Sequence, residues 1–274
     1  MPSIVVRIFL AAALIAAAVV IAQEREQHDL GFTDTPTLPG QPWHVHDSGR
    51  PHPAVVTPAT VPGAPPSDAI VLFNGSDLAQ WDQHGDGGKI IDPKWQVRDG
   101  HFEVAPGTGD LYTREKFGDC QLHIEWQEPP TVRGTSQDRG NSGVYFMSRY
   151  EIQVLDAYQN PTYADGQAGA IYGQWPPLVN PARRPGEWNV YDIAFEAPRF
   201  EGDKVARPAY FTVFFNGVLV HNHQASLGAT VYREVARYKR HDAEEPLALQ
   251  DHHHPVWFRN VWIRRVGGYD RAER

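Results

Sequence analysis

A single cysteine, Cys120, leaves the chain without any internal disulfide. Its place in the alternating run Cys120, Leu122, Ile124, Trp126 makes it a small core residue rather than a reactive thiol. Basic residues are short as well: 25 Lys and Arg against 33 Asp and Glu give a formal charge of -8. Nothing here neutralises a phosphate backbone, which excludes nucleic acid as a partner. Sustained helical periodicity is missing. No Gly-x-Ser-x-Gly elbow occurs, which disfavours serine-hydrolase chemistry. Neither a phosphate loop nor a dinucleotide fingerprint is present, and no cofactor is expected. Neutral small molecules suit this balance best.

What the chain does have begins with an apolar run, IFLAAALIAAAVVIA, after Arg7 and ending at Ala22, followed at once by QEREQHD. Residues 1–22 read as a signal peptide with a small-residue cleavage point at Val20-Ile21-Ala22. The other reading is an uncleaved anchor, since roughly 18 to 20 apolar residues span a bilayer. This segment is the only membrane contact expected. Residues 23–67 are dense in proline and should run extended as a linker or strap, because proline stops both ladder and helix. His44, His46 and His52 fall in it, but spacing in a polar segment is not a metal geometry.

Residues 68–274 read as one all-β domain. AIVLFNG is a first strand closing on Asn74-Gly75. WQVRDGHFEVAP holds two alternating runs about Asp99-Gly100, a two-residue hairpin signal. FGDCQLHIEWQ sets Cys120, Leu122, Ile124 and Trp126 on one face and Gln121, His123, Glu125 and Gln127 on the other. EWNVYDIAFEA, a hairpin about Asn216-Gly217 and the last strand HPVWFRNVWIRRV follow. Short strands with Gly/Pro punctuation point to an antiparallel sandwich or barrel. The charged stretch 231–245 is the one candidate for a short helix.

Three constellations carry candidate chemistry. In GNSGVYFMSRYEIQVLD two extended runs meet at a Ser148-Arg149 turn, and the second carries Glu151, Gln153 and Asp156 among apolar residues. Residues 151 and 153 share a face, whereas 151 and 156 converge only through a bulge. The spacing is similar to the Glu-x-Asp-x-x-Glu strand of laminarinase-like retaining glucanases, whose carboxylates stand about 5 to 5.5 Å apart. The bland alternative is a polar ladder on a solvated face. The irregular stretch after Asp156, with Tyr158, Tyr163, Tyr172 and Trp175, has the length of a functional loop. Second, LQDHHHPVWFRN places His252 after Asp251 in a turn, where it serves as acid or base, an adjacent carboxylate raising its pKa, or merely shapes the turn. Third, Asn141 offers an amide beside the Glu151 strand. His221 and His223, two apart on a strand, lack a third ligand, and no metal is assigned.

NGSDLAQW, FGDCQLHIEW, GNSGVYFMSRYEIQVLD, AIYGQWPPLVN, PGEWNVYDI and LQDHHHPVWFRNVWIRRV, in order over residues 68–266, resemble the 3-keto-disaccharide hydrolase domain family. PWHVHDSGRPHPAVVTP is similar to the leader of exported bacterial members. Where the family commonly reads Gln-Asp-His-Gly, this chain has Gln250-Asp251-His252-His253. The resemblance implies a concanavalin A-like jelly-roll sandwich, a periplasmic or extracellular bacterial setting, and action on oligosaccharides or glycosides oxidised to a ketone at C3. A C3 ketone acidifies the C2 proton, so cleavage needs one base, donors for an enolate and an acid for the leaving group. Glu151 or His252 is the base in this reading. Asn141, Gln153, Asp156, Asp251 and Arg259 contact the sugar, and Tyr172, Trp175 or Trp188 stacks on a ring. The rival expectations are an ordinary retaining β-glucanase using Glu151 and Asp156, and a non-catalytic carbohydrate-binding module, since jelly rolls host both.

Overall fold

A computed structural model describes residues 30–270. The apolar run 1–22 and its expected cleavage point therefore lie outside the described residues. Among the described residues no helix is long and apolar enough to cross a membrane. Among the described residues sixteen strands alternate with turns. In chain order they are β1 (Ile70–Phe73), β2 (Trp81–His84), β3 (Ile90–Ile91), β4 (Gln96–Arg98), β5 (His101–Glu103), β6 (Leu111–Phe117), β7 (Cys120–Gln127) and β8 (Ser142–Phe146). Then come β9 (Tyr150–Val154), β10 (Asn189–Glu196), β11 (Arg199–Glu201), β12 (Lys204–Arg207), β13 (Tyr210–Phe215), β14 (Val218–Ala225), β15 (Glu245–Leu249) and β16 (Trp257–Arg265).

The strands form an antiparallel sandwich of the concanavalin A type. One sheet runs β14-β13-β10-β7-β16-β5-β4, with β1 also on β16, and the other runs β3-β2-β6-β15-β8-β9. The alternation in β7 drives the layering: Cys120, Leu122, Ile124 and Trp126 are all buried in the shared core. From the facing sheet Trp81, Leu111, Val144, Phe146 and Ile152 enter the same core. Phe146 of β8 meets Phe195 of β10 with ring centroids 4.8 Å apart, one of the contacts that hold the two sheets together. Turn chemistry sets the register. Asp99 and Gly100 take φ of 49° and 77°, and Asn216 and Gly217 take 50° and 76°, the double left-handed geometry of tight hairpins.

Residues 231–244 form no helix. They make an irregular loop bridged at Ala229 and Arg237, and β15 begins at Glu245. Tertiary bonds fix the loop instead: Tyr238 packs against the core, its hydroxyl donating to Ser226 O at 2.9 Å and accepting from Ala209 N at 2.8 Å, while Val231, Tyr232 and Val235 stay exposed. Residues 30–55 and 268–270 cluster as a compact unit of their own. Its loops are tied by Phe32 N donating to His46 O at 2.8 Å, by the Thr35 hydroxyl donating to Val45 O at 2.6 Å, and by the Arg50–Asp270 ion pair.

Residues 56–67 belong with the sandwich. The Gly63 carbonyl accepts from Asn260 Nδ2 and from Trp262 Nε1, each at 2.8 Å. A Cβ on Gly63, whose φ is +81°, would stand 3.3 Å from the His123 ring. This places His123 under the strap, stacked on Trp262 and bonded through Nδ1 to Asp192 at 2.6 Å. Burial by itself would depress the His123 pKa, but hydrogen bonds to Asp192 and Glu125 outweigh it and raise the group to about 9. Glu125 moves the opposite way: burial would lift it, yet bonds from His123, Asn260 and Arg259 bring it down to about 2.

Because the folded His123 binds its proton more tightly than the unfolded one, its contribution is complete below the ordinary value of 6.5 and is lost as pH rises through about 9. Thermal melts of the wild type and His123→Gln should therefore converge over that window, the wild type being ahead at lower pH. Curves that stay parallel from pH 6 to 10 would show that the charged histidine does not hold this face.

Candidate functional site

Glu151 and Gln153 sit on β9, an edge strand whose five residues are all buried. Tyr150, Ile152 and Val154 fill the core, so by strand parity 151 and 153 point to the other face. Water is kept from them by the loop 155–188, which folds back along the free edge. Gln153 N donates to Ala170 O at 3.0 Å, Gly169 N to Gln153 O at 2.9 Å, and Tyr172 N to Glu151 O at 3.3 Å. The loop thus satisfies the unpaired edge and roofs the acid in one stroke. On the inner side the β8–β9 hairpin turns through Met147 and Ser148, both left-handed, with Phe146 opposite Tyr150 and Tyr145 opposite Glu151. The turn is one residue earlier than a Ser148-Arg149 corner, which would have set Phe146 against Glu151.

A well of about 190 Å³ forms over these residues. Tyr145, Glu151 and Gln153 make its floor, Asn141, Gln250 and His252 one side, and Tyr172, Thr230 and Tyr232 the other. It opens into a cleft of about 1120 Å³ that shares Tyr172, Thr230 and Tyr232. The floor is a hydrogen-bonded chain. Gln250 Nε2 donates to the Tyr145 hydroxyl at 3.2 Å, and the Tyr145 phenol is bonded to the Glu151 carboxyl. The Gln153 carboxamide lies 2.9 Å from Glu151 Oε1. With its nitrogen toward Glu151 it donates to the ionised acid. Turned over, that nitrogen donates to Gln137 Oε1 at 3.0 Å and the amide oxygen can accept from the protonated acid. One amide serves both protonation states. Space for the carboxyl comes from Gly143, where a Cβ would fall 2.5 Å from Glu151 Oε1.

Burial raises the Glu151 pKa to about 8, the Tyr145 bond opposing the shift and the Asp110 charge adding to it. Burial likewise lifts the Tyr145 phenol far above its usual range, so it stays a donor. His252, on the exposed rim of the well, moves down, chiefly through partial loss of hydration where its ring faces the well, with the two neighbouring histidines adding to the effect. The expected upward push from Asp251 does not occur because that carboxylate is spent on the turn. Its Oδ2 accepts from Gly109 N at 3.0 Å and its Oδ1 from His253 N at 2.9 Å. The well therefore holds a neutral acid and a neutral base at pH 7.

Of the residues proposed from sequence, Glu151, His252, Asn141, Gln153 and Tyr172 meet in this well. Asp156 does not: past the end of β9 it turns to Arg139, Oδ2 to Nε 2.6 Å, and lines a different cavity. No bulge brings it to Glu151. Arg259 is on β16 of the other sheet and Trp188 stands just before β10, where the guanidinium lies 4.1 Å over the indole and is paired with Glu125 at 2.7 Å. Trp175 is in the covering loop, outside the walls of the well. His221 is buried on the Gly169 carbonyl, while His223 is exposed at a register shift, stacked on Tyr210, so the two do not share a metal geometry. Among the described residues no group of three or more His, Cys, Asp or Glu could hold an ion. Sequence reading missed Tyr145, Thr230, Tyr232 and Gln250. Tyr145 was reachable from the hairpin register, and Gln250 from its alternation with Ala248 on β15.

Known proteins resemble the chain in sequence and fold. A family model described as a 3-keto-alpha-glucoside-1,2-lyase-like domain matches residues 68–264. A 3-keto-disaccharide hydrolase of Bacteroides thetaiotaomicron is 24% identical over 226 residues, 71% of this chain and 77% of that protein. A candidate glycosyl hydrolase of Parabacteroides distasonis, known from a crystal structure, is 44% identical and superposes with a TM-score of 0.75, covering 84% of this chain and all of that one. A second candidate glycosyl hydrolase from that organism, 21% identical with a TM-score of 0.53 over 73% of this chain and 94% of its own, shares the fold.

An acid held neutral by burial makes a prediction that needs no substrate. Between pH 4.5 and about 8 the unfolded chain releases the Glu151 proton and the folded chain keeps it, so stability falls as pH rises, by up to about 1.4 kcal/mol per unit. Glu151→Gln should melt higher than the wild type at pH 8, with the advantage shrinking toward pH 4.5. A variant no more stable than the wild type at pH 8 would mean that Glu151 titrates as an ordinary carboxyl.

Proposed function

The chain belongs to the 3-keto-alpha-glucoside-1,2-lyase-like domain family and is a carbohydrate-acting enzyme, and from that premise we propose that it cleaves glycosides oxidised to a ketone at C3. The observation that carries this reading is the pairing, in one well, of an acid pushed up and a base pushed down. Opposed shifts of this kind assign proton-transfer roles. At neutral pH His252 is free to take the C2 proton and Glu151 holds the proton that the leaving group needs.

The electrons of the C2–H bond pass into an enolate on the C3 oxygen; the Tyr145 phenol, once it turns from the protonated Glu151, and the second N–H of the Asn141 and Gln153 amides, whose first is held by Gln137, are its donors. The enolate then collapses, C1=C2 forms, and the C1–O bond breaks toward an oxygen protonated by Glu151. Water adds across C1=C2 with the roles reversed: ionised Glu151 takes a proton from water as oxygen bonds to C1, and His252 returns its proton to C2. The leaving sugar has room in the adjoining cleft, past Tyr172 and Tyr232.

A retaining glucanase would need a second carboxylate about 5 to 5.5 Å from the first, and Asp156 is engaged by Arg139 instead. A pure binding module has no use for an acid kept neutral at such a cost. Export remains our proposal from the apolar run 1–22 alone. Mass analysis of the mature N-terminus in a bacterial host should find it trimmed near Ala22, and an intact Met1 would point to an anchor.

The activity is tested with a 3-keto-disaccharide and its unoxidised parent in heavy water. Only the keto sugar should be cleaved, with deuterium entering at C2. His252→Ala should lower kcat/KM by about 10²- to 10⁴-fold. The pH profile should be a bell whose acid limb lies below 6.5 and whose alkaline limb lies near 8, the latter absent in Glu151→Gln. Equal cleavage of the parent sugar would end this reading. A rate that instead climbs through pH 8 to a plateau would make Glu151 the base.

A further inference from the structure

The Glu151 well has a neighbour that the proposed chemistry leaves unused. A cavity of about 470 Å³ lies beside it, within the range of about 300–1,000 Å³ typical of small-molecule sites. Successive residues serve the two spaces: Asn141 and His252 line the well, whereas Gly140, His253 and His254 line the cavity. The His252 and His254 rings stack nearly parallel, 5.9 Å apart.

The cavity wall is built around Glu128, a carboxyl only 3% exposed. It forms no ion pair among the described residues, and its side-chain contact is a long one, Asn189 Nδ2 at 3.5 Å. Burial first, and then the Asp156 charge, hold it protonated, so it presents both a donor and an acceptor. Gly140, at φ +59°, is what lets it lie here, because a Cβ would come 2.7 Å from Glu128 Cγ. His254 Nδ1 is buried without a partner. Buried polar atoms without partners are uncommon and ask for a reason.

Charge limits what can enter. Arg139 is paired with Asp156 at 2.6 Å and Glu128 is protonated, so the buried wall carries no net charge to hold an ion. A cation would meet Arg133 at the exposed rim. Pro129, Val132 and Pro255 add apolar walls. Neutral donors and acceptors over apolar surface are the complement of a sugar ring. We infer that this cavity is a second carbohydrate subsite, taking a neutral hexopyranose whose hydroxyls bond Glu128 and His254. The inference deepens the proposed function and rests on it in one respect, the carbohydrate class of its substrate; the cavity and the Glu151 well share no lining residue, so the cavity takes its sugar independently of the well.

Saturation-transfer difference NMR tests it, with D-glucose as the probe at about 10 mM, suited to an affinity in the millimolar range. Four proteins are compared: wild type, Glu151→Gln, Glu128→Leu, which keeps the shape and removes the polar atoms, and Val132→Trp, which fills the cavity from its exposed rim. Melting curves confirm folding. The glucose affinity read from a signal titration should be unchanged in Glu151→Gln and fall at least about tenfold in Glu128→Leu and Val132→Trp, the equivalent of about 1.4 kcal/mol. Signal unchanged in Val132→Trp, lost only in Glu151→Gln, or absent from the wild type would overturn the subsite. The keto-sugar assay separates the two ideas. Failure to cleave with the predicted glucose pattern intact removes the proposed reaction and leaves the subsite. Cleavage without that pattern does the reverse.

Discussion

The constraint on which this protein turns is the closing of one sheet edge. An edge strand exposes a row of unpaired amides and carbonyls, and β9 is such a strand. The covering loop answers that need with its own backbone, pairing Gln153 with Gly169 and Ala170 and Glu151 with Tyr172. In doing so it takes an acid that strand parity had aimed at solvent and surrounds it with protein. Everything unusual about the site follows from this step: the raised carboxyl, the phenol that cannot ionise, and the narrow well opening past Tyr172.

That arrangement has a cost in stability, and the surroundings limit it. A buried carboxylate without partners is expensive, and the group escapes by staying protonated. Tyr145 and Gln153 then meet the polar atoms of either form, so the proton can leave and return without stranding a hydrogen bond. Gly143 contributes by having no side chain, since any Cβ there would displace the acid. The opposite sheet handles charge in the contrary way. His123 and Glu125 are driven toward their ionised forms by each other and by Asp192, Asn260 and Arg259, and they hold a strap rather than move protons.

How much of this was legible in the sequence depended on how local the determining interaction was. The β7 alternation and the Asp99-Gly100 and Asn216-Gly217 hairpins are set by residues within a few positions of one another, and they folded as read. The Glu151–Gln153 face was equally local. Tyr145 was missed because one residue of error in the turn moves every cross-strand partner to the opposite face. Tyr232 falls in the charged stretch 231–245 that suggested a helix and Thr230 stands just before it, and only the tertiary bond from Thr230 N to Arg149 O reveals the path there. Trp188 and Arg259 have the composition of a sugar platform, yet they answer each other across the second sheet. Residue type suggested a role there that only position could refuse.

Position also separates the chain's acids. Glu151 and Asp156 are five residues apart, an odd interval, and with no bulge in β9 an odd interval sends side chains to different sides. A fold bringing both to one sugar would have needed an extra residue in the strand. Instead Asp156 crosses to Arg139 and, through its charge, helps keep Glu128 neutral. The consequence is two compartments, each with one protonated carboxyl beside a histidine, joined back to back along Gly140–Asn141 and His252–His254. In the first, the acid and the histidine face an open cleft and have opposed proton affinities, the conditions for moving a proton. In the second, the acid is backed by a closed ion pair and apolar walls, the conditions for holding a neutral ligand still. The same parity that forbids a pair of catalytic carboxylates thus gives each acid a separate task.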